Sequence, residues 1–156
     1  MSLPAKAACL TAALITAVAG TSKAQALEGG LYIAGAGFSF QTAAERGLAQ
    51  NPGGRRFFLL TLPPQAGALR RTATPAQARL RDRVLAGNGV LLVCQRDLDN
   101  GRLDAAQLVQ QVVPVRGWPP PGSNELPAGE RYFPGEDRST LPASNDALRQ
   151  LRSACS

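Results

Sequence analysis

The stretch that decides the fold is Gly89-Val-Leu-Leu-Val-Cys-Gln95, which we interpret as a buried strand that ends in a thiol. Residues 90–93 are apolar without polar alternation, which is typical of an interior parallel strand covered by helices on both faces. Asn88 and Gly89 supply the turn before it. Parallel α/β sheets collect binding and reacting groups beyond the carboxyl ends of their strands, so Cys94 stands at a favourable position for chemistry.

Three further apolar runs predict the other strands of the same sheet. They cover residues 31–34, 56–62 and 112–115. Pro114 lacks a backbone donor, so we expect the last of these strands at the edge of the sheet. The predicted fold is a single α/β domain: a three-layer αβα sandwich with about four mostly parallel strands in the order 2-1-3-4.

Helices between the strands are predicted from capping residues. Thr42 and Glu45 form a capping-box pattern, with Ser39 as an alternative start. Thr74-Pro75 is an N-cap and first-turn pair for a second helix, which ends before Gly87. Two more helices are predicted over residues 104–111 and from Ser144 to about Cys155.

Several segments of the chain match the pattern of a known family. Leu31-Tyr-Ile-Ala-Gly-Ala-Gly-Phe-Ser39 is followed by a middle helix, by Asn88-Gly-Val-Leu-Leu-Val-Cys94 and by Val112-Val-Pro-Val115. Over about residues 31–118 the chain therefore resembles the DsrE-like sulfur-relay family (the DsrE/DsrF/TusD group). The resemblance implies a DsrE-like, flavodoxin-like fold, self-association into dimers or rings, and a persulfide on the cysteine that corresponds to Cys94.

The amino terminus has the pattern of an export signal. Residues 1–26 combine Lys6, an apolar run and an Ala-Gln-Ala cleavage site. A retained membrane anchor is the alternative, but the run is short for a bilayer span, so we expect no membrane span after cleavage. The predicted organisation is a DsrE-like domain over 27–118 and a Pro/Gly-rich loop with a terminal helix, 119–156, packed on it. The predicted location is periplasmic or secreted.

Composition excludes several classes of function. The chain has no histidine, which removes Ser-His-Asp and Cys-His catalysis and the usual zinc sites, so we predict no metal and no cofactor. The formal net charge is +6, and two of the positive charges are Lys6 and Lys23 of the export signal. The arginines are spread without interleaved aromatic residues, and we therefore expect no nucleic-acid binding.

The two cysteines beyond the export signal allow two interpretations. An exported protein meets an oxidising compartment, so a Cys94–Cys155 disulfide is expected, and closing a loop of about 60 residues would stabilise the fold by roughly 4 kcal/mol. Alternatively, Cys94 is a reactive thiol that Arg96 and nearby helix amides activate. In a combined form, Cys155 resolves a reversible bond with Cys94.

The predicted binding surface is the rim at the carboxyl ends of the strands. A phosphate-binding role for its glycines is weakened because Phe40 stands where the dinucleotide fingerprint has a third glycine. We predict an exported, non-catalytic binding or assembly component of the cell envelope, acting on an unknown protein partner or on itself. The alternatives are a persulfide carrier that uses Cys94 and, more weakly, an accessory protein of a conjugative transfer apparatus. The residues of the predicted rim are Gly35, Gly37, Ser39, Gln95, Asp97, Trp118 and Tyr132.

Overall fold

The computed structural model describes residues 28–35, 37–123, 125–126 and 129–156. The predicted export signal over residues 1–26 therefore lies outside the described residues. Within the described ranges, none of the helices combines the length and the apolar character that crossing a bilayer requires.

Four parallel strands form one sheet in the order β1-β2-β3-β4. The strands are β1 (Glu28–Ala34), β2 (Arg56–Thr61), β3 (Gly89–Cys94) and β4 (Val113–Val115). The α/β class and the interior position of β3 are confirmed, because β3 lies between two neighbours and its residues 91–94 are fully buried. The edge position of β4 is also confirmed.

The predicted strand order 2-1-3-4 is wrong, because β1 is an edge strand beside β2. Its residues Leu31, Tyr32 and Ile33 are only half-buried, as expected at an edge. An apolar run of this kind resembles an interior strand in sequence, and the pattern does not encode which strand lies next to it. The observed order never reverses direction, so the sheet lacks the crevice that a reversal creates in doubly wound folds.

Helices α1 (Phe40–Gln50) and α2 (Pro75–Ala86) cover one face of the sheet. Ser39 caps α1 by accepting from the Thr42 amide, and Thr74 caps α2 in a capping box with Gln77. The connections from β1 to β2 and from β2 to β3 both lead to the adjacent strand in the same direction. Both helices therefore lie on the same side of the sheet. Their inner residues form one core cluster with Phe57, Leu59, Leu91 and Val93 of the sheet.

The carboxyl-terminal segment covers the opposite face. Helix α4 (Asn145–Ala154) lies beyond the one-turn helix α3 (Gln95–Asp99) and strand β4. We call the segment between β4 and α4 the irregular region, and the structure describes it over residues 116–123, 125–126 and 129–144. Leu148 and Leu151 of α4 pack in a second core cluster with Leu60 and Leu92 of the sheet. Helix α4, which belongs to the part of the chain that the family resemblance leaves without a counterpart, thus supplies the third layer of the sandwich.

The predicted helix over residues 104–111 is wrong, since only a 3-10 turn, Ala105–Gln107, forms there. The backbone of this segment pairs with a neighbouring segment instead of with itself. Arg71 N donates to Gln107 O at 2.8 Å, and Val109 N donates to Leu69 O at 3.0 Å. Long-range pairing therefore overrides the local helical pattern.

The glycines after β1 form a tight turn, and they give a first prediction. Gly35 and Phe38 exchange backbone hydrogen bonds of 2.8 and 2.7 Å, which occupies both amides. Gly35 and Gly37 both have positive φ, but only a Cβ at Gly35 meets a neighbour, Leu62, at 2.6 to 2.9 Å. We expect Gly35→Ala to destabilise the protein by about 2–4 kcal/mol, since backbone strain adds to overpacking.

Gly37→Ala is the matched control, because it carries the same kind of strain with nothing within 4 Å of the added carbon. It should cost about 1–2 kcal/mol. Urea denaturation of the two variants measures the difference. Equal unfolding midpoints would show that the close approach of Gly35 to Leu62 does not limit stability.

Candidate binding site beside the disulfide

Cys94 ends β3 and is bonded to Cys155, the residue that caps the carboxyl end of α4. The two Cα atoms lie 5.0 Å apart, across a sequence separation of 61 residues. The cysteines are 0% and 2% exposed. The predicted pairing is thus present in the structure, and it attaches the terminal helix to the central part of the sheet.

The chain end is held against the segment around Trp118 by several polar contacts. Trp118 donates from its backbone N to Ser156 Oγ at 2.9 Å and from its indole Nε1 to Ser153 Oγ at 3.2 Å. Arg96 Nη2 donates to Ala154 O at 3.0 Å. A Cβ at Gly117 would lie 2.2 Å from Cys155 O, so this approach requires glycine.

A shallow cavity of about 310 Å³ opens over these contacts, and we call it the disulfide pocket. Trp118 is 38% exposed there. Among the described residues, it is one of two large hydrophobic side chains that are exposed. An ion pair between Arg116 and Glu125, 2.5 Å apart, lies at its margin. The other lining residues are Gln95, Arg96, Asp99, Gly117, Pro119, Pro120, Cys155 and Ser156.

Arg152 contacts the backbone of Arg116, a residue that lines the disulfide pocket, and its role was not predicted from the sequence. The side chain is 0% exposed, and its guanidinium pairs with the Glu136 carboxylate at 2.6 and 3.1 Å. It also donates to Arg116 O at 2.8 Å and to Arg131 O at 2.8 and 3.2 Å. All three nitrogens therefore have partners, and α4 is connected to both ends of the irregular region.

A sequence signal for Arg152 does exist. Leu148, Leu151, Arg152 and Cys155 follow the i, i+3, i+4, i+7 spacing of one helix face. An arginine within an otherwise apolar stripe is buried with the stripe, and burial of its charge requires a paired and hydrogen-bonded partner. The pattern indicates the burial, but it does not identify Glu136 as the partner.

The structure distributes the predicted rim residues over several places. Gln95, Arg96 and Trp118 lie together in the disulfide pocket. Gly35, Gly37 and Ser39 lie beyond β1, which β2 separates from β3. Tyr132 is half-buried against the second core cluster, with the Arg138 guanidinium 4.8 Å from its ring.

Asp97 is fully buried although it belongs to the predicted rim. Its carboxylate oxygens have no hydrogen-bond partner among the described residues, and the nearest cations are Arg96 Nε at 3.7 Å and Arg102 Nη1 at 4.0 Å. Both distances exceed that of a hydrogen bond, so the two arginines do not satisfy the carboxylate oxygens. Among all the residues that the structure describes, no group of three or more His, Cys, Asp or Glu side chains is placed to hold a metal ion.

Comparison of the chain with models of protein families, with curated proteins and with solved structures finds no match. The DsrE-like resemblance stays a prediction. Chemically, the disulfide pocket combines an indole, a guanidinium and proline rings, and the Cys94–Cys155 bond fixes the chain beside them. Side chains of these kinds can bind a partner molecule through noncovalent contacts. The sulfur of Cys94 is not exposed in this pocket.

Proposed function

We propose that this protein is an exported, DsrE-like, non-catalytic binding or assembly component of the cell envelope, whose partner docks at the disulfide pocket. The observation that carries the proposal is the exposed Trp118, held by Ser153 and Ser156 next to the Cys94–Cys155 bond. Tryptophan and arginine are enriched among residues that dominate binding energy. A side chain that is already immobilised loses little entropy on binding.

The partner that fits this surface is a polypeptide with an apolar group beside an acidic one. The apolar group would cover the indole of Trp118 and the neighbouring prolines. The acidic group would pair with Arg96, whose side chain is 41% exposed in the same pocket. Either a second copy of this chain or a different envelope protein would supply such a surface.

Trp118 provides a direct test, because it is the one tryptophan in the chain. We expect its fluorescence to shift to shorter wavelengths when a partner, or a second copy at high concentration, covers the pocket. Trp118→Ala should weaken that association by roughly 30-fold or more, the size of effect seen for a dominant interface residue. Light scattering after size exclusion measures self-association, and titration with a candidate envelope protein measures binding to another partner.

Phe38→Ala is the matched control, since Phe38 is the other large exposed hydrophobic residue, at 47%, and lies beyond β1. It should leave the association unchanged. A Trp118→Ala variant that associates as well as the unmodified protein would remove the disulfide pocket as the docking surface. An equal loss with Phe38→Ala would indicate nonspecific apolar contact instead.

A persulfide carrier is the second candidate, favoured by one observation. Arg96 lies two residues after Cys94 and contacts the last turn of α4, where a guanidinium would stabilise a thiolate once the disulfide is reduced. Persulfide labelling tests this role: the disulfide is reduced, the reductant is removed, and the protein is then incubated with a sulfane-sulfur donor such as a polysulfide, which transfers one sulfur atom to the Cys94 thiolate and leaves as the shorter polysulfide. Loading that disappears in Cys94→Ser would favour the carrier, whereas no loading of the reduced protein would leave the binding role.

A further inference from the structure

A second concave site lies on the other helical layer, between α1, α2 and the 3-10 segment Pro63–Leu69. We call it the helical groove. Its volume is about 570 Å³, and it shares no lining residue with the disulfide pocket. This size falls within the range of small-molecule sites.

Two arginines of α2 line the helical groove without an acidic partner. Arg79 and Arg83 are exposed and one helical turn apart, and neither forms an ion pair within the described residues. Like charges at this spacing repel one another and destabilise an isolated helix. Glu45, the one carboxylate in the lining, already accepts a hydrogen bond from Gln41 Nε2 at 3.1 Å.

Two glutamines add further donors to the same groove. Gln65 Oε1 accepts from Phe40 N at 3.1 Å, and Gln77 Oε1 accepts from Thr74 N at 3.1 Å. A backbone N–H requires an oxygen acceptor, which determines the orientation of both amides. Each NH2 group is left as a donor without a hydrogen-bond partner among the described residues, in a lining that already carries the two guanidinium groups.

We infer that the helical groove binds a small organic molecule that carries an oxyanion, either a phosphate or a carboxylate. The guanidinium groups of Arg79 and Arg83 accommodate such a group through paired N–H donors, and the amide NH2 groups supply more. The apolar part of the ligand would lie on Phe40, Pro64 and Leu80, which complete the lining. This site is independent of the partner proposed for the disulfide pocket.

Titration of the isotopically labelled protein, followed by NMR, tests the inference with four probes: phenyl phosphate, benzoate, inorganic phosphate and phenol. We expect saturable shifts at the groove residues with phenyl phosphate or benzoate, and the stronger of the two identifies the oxyanion. Inorganic phosphate should bind more weakly because it lacks the apolar part. Phenol binding as tightly as the charged probes, or no saturable shift with any anion, would overturn the inference.

Arg79→Gln/Arg83→Gln should weaken binding of the better anion by at least about tenfold, since each guanidinium contributes charged hydrogen bonds. Arg55→Gln/Arg149→Gln is the control: it removes the same net charge, and neither residue lines the groove. The control should keep the affinity of the unmodified protein. An equal loss in both variants would indicate nonspecific charge attraction and contradict a site at the groove.

Discussion

Arg152→Met is expected to lower the free energy of unfolding by about 3–5 kcal/mol, because breaking a buried ion pair leaves its partners without compensation. The substitution removes the cation from Glu136 and the donors from two backbone carbonyls, those of Arg116 and Arg131. Methionine keeps much of the side-chain volume, so the loss reports on polar contacts more than on a cavity. Urea denaturation measures the change.

Arg149→Met is the matched control on the same helix. Its side chain is 70% exposed, and its ion pair with Asp146 is 3.9 Å long. Exposed pairs contribute little, so this variant should differ from the unmodified protein by less than about 0.5 kcal/mol. Similar unfolding midpoints for the two variants would show that Arg152 does not stabilise the irregular region.

A second variant separates the contributions at Arg152. Glu136→Gln keeps a hydrogen-bonding partner but removes the negative charge, and the carbonyl contacts of Arg152 remain. If the carbonyls carry most of the stabilisation, Glu136→Gln will cost clearly less than Arg152→Met. Near-ultraviolet circular dichroism of Trp118 adds a structural readout, since Arg152 contacts Arg116 O two residues before the indole.

Removal of the disulfide is expected to have an effect of similar size. Cys94→Ala/Cys155→Ala should destabilise the protein by roughly 4 kcal/mol, because the unfolded chain regains the freedom of a long loop. Alanine is preferable to serine at these positions, since both cysteines are buried and burying a hydroxyl costs more than burying a methyl group. A loss of this size is a large share of the stability of an ordinary domain.

The reduced, unmodified protein should unfold near the same urea concentration as the double alanine variant. Reductant should not shift the double variant at all, which controls for its effects elsewhere in the chain. A double variant as stable as the oxidised protein would show that the bond does not stabilise the domain. Rapid alkylation of Cys94 in native protein would contradict the buried disulfide itself.

The Arg152 and disulfide effects should be less than additive when combined. Arg152 and Cys155 lie one turn apart, and both attach α4 to the sheet and the irregular region. Once either attachment is lost, α4 is less firmly fixed, so loss of the other attachment lowers the free energy of unfolding by a smaller amount. Detachment of α4 would expose the second core cluster, which contains Phe58, Leu60, Leu92 and Val115 of the sheet.

Local patterns of the sequence predicted the four strands and three of the helices correctly, and they favoured one covalent bond. Three of these predictions depend on interactions over only a few residues: the apolar run of β3, the capping residues of α2 and the apolar stripe of α4. The secondary structure that such short segments prefer can be read directly from the sequence pattern. The cysteine count and the predicted export favoured Cys94–Cys155, and the same residues left a reactive thiol open as the alternative. Each of these inferences depends on neighbours in the chain.

Tertiary structure alone decided the strand order, the burial of Asp97, the partners of Arg152 and the two concave sites. The apolar run of β1 suits an edge or an interior position, and competition among whole-chain packings selects between them. Because β1 lies at the edge, the glycine turn and Cys94 are separated by β2, and the single rim expected from the sequence is divided. Contacts between residues 21 and 115 positions apart depend on the complete fold, and a local sequence pattern does not contain them.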